Sequence, residues 1–122
     1  MRVYVDASPS ELACVPDKPF DWSDHKRKCF RPIAYCEILA GSYTNNEAEY
    51  LAVIRALEKF LPEVTEILSD SQLVVNQLNL KWAIKEARLK NYANQVNKLA
   101  QGTIKFIWVP REQNLAGIKA LF

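Results

Sequence analysis

Glycine is scarce in this chain. Its 122 residues hold only Gly41, Gly102 and Gly117, and none lies between Pro9 and Arg31. A tight turn built on glycine is therefore excluded from that stretch. Histidine occurs once, at His25, and cysteine three times, at Cys14, Cys29 and Cys36. An odd cysteine count without a secretory context does not read as a disulfide framework, and reduced thiols in a cytoplasmic protein are the simpler expectation. His25 and Cys29, with Cys14 and Cys36, fit no familiar zinc spacing, so plain thiols are expected there too. No run reaches the roughly 18 apolar residues of a membrane span. The opening Met1-Arg2-Val3-Tyr4-Val5-Asp6 reads as a strand, not as a signal peptide. Internal repeats and low-complexity segments are also lacking.

What is present suits one domain with one core over residues 1–122, since 49% of the residues are hydrophobic. The net charge of +2 says little, but its distribution says more. Between Ser71 and Lys105 stand Lys81, Lys85, Arg88, Lys90, Lys98 and Lys105 against the single acid Glu86. A second basic run is Lys26-Arg27-Lys28 with Arg31. Such clusters can meet phosphate, and they can equally be solvated faces.

Local patterns order the elements. Residues 2–8 alternate as a strand, with Val3 and Val5 opposed to Tyr4 and Asp6. A short strand fits residues 11–15. Residues 17–31, punctuated by proline on either side, read as an irregular loop, and 33–43 as a further strand. Thr44-Asn45-Asn46-Glu47 has the form of a capping box, a hydroxyl cap with Glu three positions on. Behind it Tyr50, Val53, Ile54, Leu57, Phe60 and Leu61 recur at helical spacing until Pro62. Residues 64–69 form a short apolar strand ending at Asp70, and 71–78 a helix. Residues 86–100 form a second helix with Leu89, Tyr92, Ala93, Val96 and Leu99 on its stripe, ended by Gly102. Residues 103–109 read as a strand before Pro110, and a short helix is expected to start near Glu112 or Gln113. The order is α/β: an antiparallel meander followed by strand–helix–strand alternation, hence a mixed sheet flanked by helices.

Three acids sit at element ends: Asp6 after one strand, Glu49 early in a helix, and Asp70 after another strand. Adjacent strands would bring Asp6 and Asp70 together, and clustered carboxylates usually call for a cation. Oxygen-only ligands favour magnesium or manganese over zinc. From spacing alone, the same residues are equally a solvated strand end, a helix-dipole acid and a cap for the following helix.

A resemblance favours the first reading. Val5-Asp6-Ala7-Ser8 resembles the opening Asp-Gly-Ser of ribonuclease H. Thr44-Asn45-Asn46-Glu47-Ala48-Glu49-Tyr50 resembles that family's Thr-Asn-Asn-x-x-Glu helix start, and Ser69-Asp70-Ser71-Gln72-Leu73-Val74 its Asp-Ser-Gln strand end. Val75-Asn76-Gln77-Leu78 with Lys81-Trp82 and Lys85 is similar to the short archaeal and bacterial members, as is Trp108-Val109-Pro110-Arg111-Glu112-Gln113-Asn114. Each motif is weak alone; their order over residues 1–8 and 35–122 is specific. The resemblance implies a ribonuclease H-like fold with a five-stranded mixed sheet. It implies that Asp6, Glu49 and Asp70 hold Mg2+ or Mn2+ and cut the RNA strand of RNA–DNA hybrids. It also implies that Asn45 or Asn46 and Gln72 touch the hybrid, where amides can reach a minor groove marked by 2′-hydroxyls. Among residues that could meet nucleic acid, Lys81, Lys85 and Arg88 suit phosphate and Trp82 suits stacking, whereas Trp108 and Tyr92 are expected in the core.

Two departures leave alternatives open. The histidine that some members of the family carry in a nearby loop is missing, and the Ala-Asp that closes the family's last motif is here Asn114-Leu115-Ala116-Gly117-Ile118. The fourth acid is thus replaced by Ile118 or Gly117, depending on alignment. The alternative is therefore a catalytically inactive ribonuclease H-like module that grips nucleic acid. A third reading is a nuclease of the same fold acting on structured RNA or DNA.

Overall fold

The computed structural model describes residues 1–17 and 34–117. Strands β1 (Arg2–Ser8), β2 (Glu11–Pro16) and β3 (Tyr35–Ile38) precede helix α1 (Asn45–Phe60). Strand β4 (Glu66–Ser69), helices α2 (Gln72–Leu78) and α3 (Ala87–Ala100), strand β5 (Lys105–Trp108) and a 3-10 turn (Arg111–Gln113) follow. The five strands form one mixed sheet in the order β3-β2-β1-β4-β5. The pairs β1/β2 and β2/β3 are antiparallel, and β1/β4 and β4/β5 are parallel. The central strand β1 thus carries Asp6 beside the strand that leads into Asp70.

The local signals act as expected. The Glu47 N–H donates to Thr44 Oγ1 at 3.1 Å, and the Thr44 N–H donates to Glu47 Oε1 at 3.0 Å, closing the capping box. Behind it, α1 turns Tyr50, Val53, Ile54, Leu57 and Phe60 inward, onto Val3, Val5, Leu12 and Cys14 of the sheet and Leu89, Ala93 and Val96 of α3. Each fully buried side chain of this size stabilises the fold by about 1.5–3 kcal/mol relative to exposure, so this seam fixes how α1 lies across β1. At the other end of α3, Gln101 and Gly102 take φ of 52° and 75°. The second of these left-handed positions is the one glycine suits without cost.

Several boundaries differ from the sequence pattern. The third strand is only Tyr35–Ile38. The Leu39 N–H still donates to Ser10 O at 2.8 Å, one step further along the β2/β3 register, and Gly41, with φ of 87°, then turns the chain towards α1. Strand β4 starts at Glu66 because Val64 still bonds back to Phe60 O, at 3.2 Å. The region near Glu112 is a 3-10 turn within the described residues. Trp108 is not a core residue, for it is 43% exposed at the end of the edge strand β5. An edge strand leaves part of its surface uncovered, which an apolar pattern alone does not reveal. Tyr92 does pack against the core and stacks on Tyr50 with ring centroids 6.2 Å apart. The loop expected over 17–31 and anything from Ile118 onward lie outside the described residues, apart from Asp17.

Candidate metal centre

The β1/β4 register pairs Val5 with Ser69. The next residue along each chain is an acid, Asp6 on β1 and Asp70 just past β4. Glu49 stands in the first turns of α1, the helix that crosses β1 and β2. One carboxylate oxygen from each of Asp6, Glu49 and Asp70 lies within 4.8 Å of the other two, and all three residues are half-buried. That is close enough for ligands at hard-cation distances to share an ion.

The bland alternatives for these acids fit less well. Asp70 does not cap α2; Ser71 does, with its Oγ accepting from the Val74 N–H at 3.3 Å. Glu47, not Glu49, serves the N-terminus of α1. Asp6 Oδ1 accepts from the Ala7 N–H at 2.9 Å. Glu49 Oε1 and Asp70 Oδ2 are buried without any hydrogen-bond partner. Burial, then Asp6, then Asp70 push the Glu49 carboxyl up to about 9, and a hydrogen bond from the Ala7 backbone and then the charge of Arg111 act in the opposite direction. Unpartnered buried oxygens facing two further carboxylates are an unfavourable arrangement unless a cation completes it. The donor set, oxygen only, suits Mg2+ or Mn2+.

No fourth acid joins the group among the described residues. Gly117 is half-buried, and its N–H donates to Asn114 O at 3.1 Å. Ile118, the other position for that acid, lies outside the described residues. The buried Cys14 is a core thiol: its Sγ donates to Ala52 O at 3.3 Å, and burial pushes its pKa far up. His25 and Cys29 lie outside the described residues.

Around this centre, Asn45 and Asn46 open α1 and Gln72 opens α2, all three exposed. Lys81, Trp82 and Lys85 lie exposed on the link between α2 and α3, and Lys85 lines a groove together with Asn46, Leu73, Gln77 and Leu89. Arg88, in the first turn of α3, stands 3.7 Å from Glu47 Oε1, so it faces a carboxylate as well as solvent. Sequence reasoning missed the group that shapes this link. The buried Gln77 accepts from the Tyr50 hydroxyl at 2.7 Å and donates to Ala83 O at 3.3 Å. It also missed the Trp108 indole N–H, which donates to Asp70 O at 3.2 Å, and Asn114, whose Nδ2 donates to Val5 O at 2.9 Å. The place of Gln77 at helical spacing from Val74, on the buried face of α2, is a signal that could have marked it.

A β3-β2-β1-β4-β5 sheet with three helices, an acid within β1 and another just past β4 defines a ribonuclease H-like protein. More narrowly, the chain belongs to the reverse transcriptase-like family, whose model matches residues 28–120. The bifunctional protein Rv2228c of Mycobacterium tuberculosis is 37% identical over 79 residues. That alignment covers 61% of this chain and 22% of the relative, so the chain spans under a quarter of that protein's length. The N-terminal ribonuclease H domain of Rv2228c, solved as a fusion with maltose-binding protein, superposes with a TM-score of 0.74 at 26% identity, covering 97% of this chain and 92% of that one. Ribonuclease H1 from the halophilic archaeon Halobacterium salinarum NRC-1 gives 0.75 at 26% identity over 98% and 93% of the two chains. LC11 ribonuclease H1, solved in complex with an RNA/DNA hybrid, gives 0.69 at 26% identity over 99% of each. Similarity to these enzymes supports a ribonuclease H-like nuclease. No helix among the described residues is long and apolar enough to cross a membrane.

Proposed function

We propose that residues 1–122 act as a single ribonuclease H domain that hydrolyses the RNA strand of RNA–DNA hybrids with divalent metal. The observation that carries this reading is the meeting of Asp6, Glu49 and Asp70 within 4.8 Å, where Glu49 Oε1 and Asp70 Oδ2 are buried without a hydrogen-bond partner. A relative solved with an RNA/DNA hybrid supports the choice of substrate. Asp6, Glu49 and Asp70 would hold Mg2+ or Mn2+. When bound, such ions activate water for attack on phosphorus and neutralise the leaving 3′-oxygen. The chain itself holds the acids in place and orients the duplex. Asn45, Asn46 and Gln72 offer amides to the minor groove, Lys81, Lys85 and Arg88 meet phosphate, and Trp82 offers a stacking face. The free thiols of Cys14 and Cys36 agree with a cytoplasmic setting.

The test is cleavage of an end-labelled hybrid in Mg2+, in Mn2+ and in chelator, for the wild type and for Asp6→Asn and Asp70→Asn. Metal-dependent cleavage lost in both variants is expected, and unchanged cleavage by either would exclude the assignment. One observation favours a second reading, a hybrid-binding module without activity: only three acids meet at the centre among the described residues. Hybrid retention without cleavage in either metal would establish that reading instead.

A further inference from the structure

The chain after β5 contributes no acid to the centre among the described residues, yet it touches the backbone on both sides of it. At the end of β5 the Val109 N–H donates to Ser69 O at 2.9 Å, extending the β4/β5 ladder by one bond. The Trp108 indole N–H then donates to the next carbonyl, Asp70 O, at 3.2 Å. Six residues on, Asn114 is buried to 7% exposure and uses both ends of its amide. Its Nδ2 donates to Val5 O at 2.9 Å, and its Oδ1 accepts from the Ala116 N–H at 3.0 Å. Val5 O belongs to the peptide group that leads into Asp6. Strand β4 stops at Ser69, opposite Val5, so a donor from elsewhere meets this carbonyl.

The three bonds to Val5, Ser69 and Asp70 share one property: they hold main-chain carbonyls and leave the carboxylates alone. A side-chain donor on Asp70 would compete with a cation for the same oxygen, whereas a donor on its carbonyl fixes the residue and keeps Oδ2 available. Asp70 Oδ2 is indeed buried without a partner. Packing does not account for Trp108, since nearly half of the residue faces solvent. We propose that residues 108–116 form a positioning strap, in which Trp108 sets Asp70 and Asn114 sets Asp6 in the geometry that receives a divalent cation. The proposal rests on the metal reading above.

The test is Mn2+ binding to the substrate-free protein, followed by the magnetic resonance signal of free Mn2+, for the wild type, Trp108→Phe and Asn114→Ala. Trp108→Phe keeps an exposed ring and removes only the donor; should Asn114→Ala not fold, Trp108→Phe alone decides. The expected result is a loss of about tenfold in Mn2+ affinity for each folded variant, as for other groups that support metal ligands. The kcat for hybrid cleavage per folded molecule, with the folded fraction taken from melting curves at the assay temperature, should fall while KM for the hybrid stays unchanged. Wild-type Mn2+ affinity and kcat in folded Trp108→Phe would overturn the strap while leaving the metal centre standing. A wild-type protein that binds no Mn2+ would overturn both.

Discussion

At Glu49, burial and two neighbouring carboxylates act in the same direction, and the carboxyl is pushed from 4.5 up to about 9. A carboxyl whose folded pKa lies above its unfolded value contributes stability that is fully present below the unfolded pKa. That contribution is lost as pH rises through the folded pKa. In chelator, therefore, the melting temperature of the wild type should fall between about pH 5 and about pH 9, and Glu49→Gln should flatten the profile; both follow from thermal melts across that range. Added Mn2+ should remove most of the slope at the alkaline end, because the cation takes over the charge balance. The same repulsion makes Asp6→Asn and Asp70→Asn melt higher than the wild type in chelator while abolishing cleavage. A lower melting temperature for both would mean that these carboxylates stabilise the metal-free fold, contrary to the clustering argument.

At the scale of elements, the link from α2 to α3 presents Lys81, Trp82 and Lys85 to solvent, held from beneath by Gln77. Lys85 makes no ion pair among the described residues, whereas Arg88 stands beside Glu47. A cation that neutralises one phosphate contributes about one unit to the salt slope of binding. Lys85→Ala should therefore flatten the salt dependence of hybrid binding by about one unit, with affinity lowered alike for all sequences. Arg88→Ala should do less, since its charge is already shared with a carboxylate. Binding measured across a salt series checks both, and a slope unmoved in Lys85→Ala would return this face to ordinary solvation. The capping box of α1 and the αL exit of α3 were legible from a few neighbouring residues because they arise from short-range hydrogen bonds and sterics. The shortened β3 and late start of β4 were not, since a strand ends where its partner does.

For the molecule as a whole, three acids meet among the described residues where the ribonuclease H resemblance implies four. Two divalent ions near one phosphate need negative ligands, and with three carboxylates one ion depends more on water and on the substrate itself. Manganese binds such sites more tightly than magnesium, so a slow enzyme that works at lower Mn2+ than Mg2+ is expected. Gly117→Asp should lower the Mg2+ needed for cleavage. A Cβ there would lie 3.4 Å from Asn114 O, a contact that small backbone adjustment relieves. Ile118→Asp is the companion variant for the other alignment. Magnesium titrations of cleavage with melting curves alongside decide the matter. Variants that stay folded without using Mg2+ better would exclude a missing ligand.

By itself the sequence determined the alternation of β1, the caps of α1 and α3, the order of the elements and the three acids at their ends. All of these depend on residues a few positions apart. Only the tertiary structure decided that Asp6 and Asp70 meet, because the parallel β1/β4 pairing closes over the β2, β3 and α1 segments between them. It also decided that Trp108 faces solvent, that Arg88 faces Glu47, and that Asn114 is buried against Val5. The physical reason is that burial and long-range pairing are properties of how elements cover one another. The same tryptophan would be core on a central strand, and here it lies on the edge strand, where its ring is open and its N–H meets Asp70.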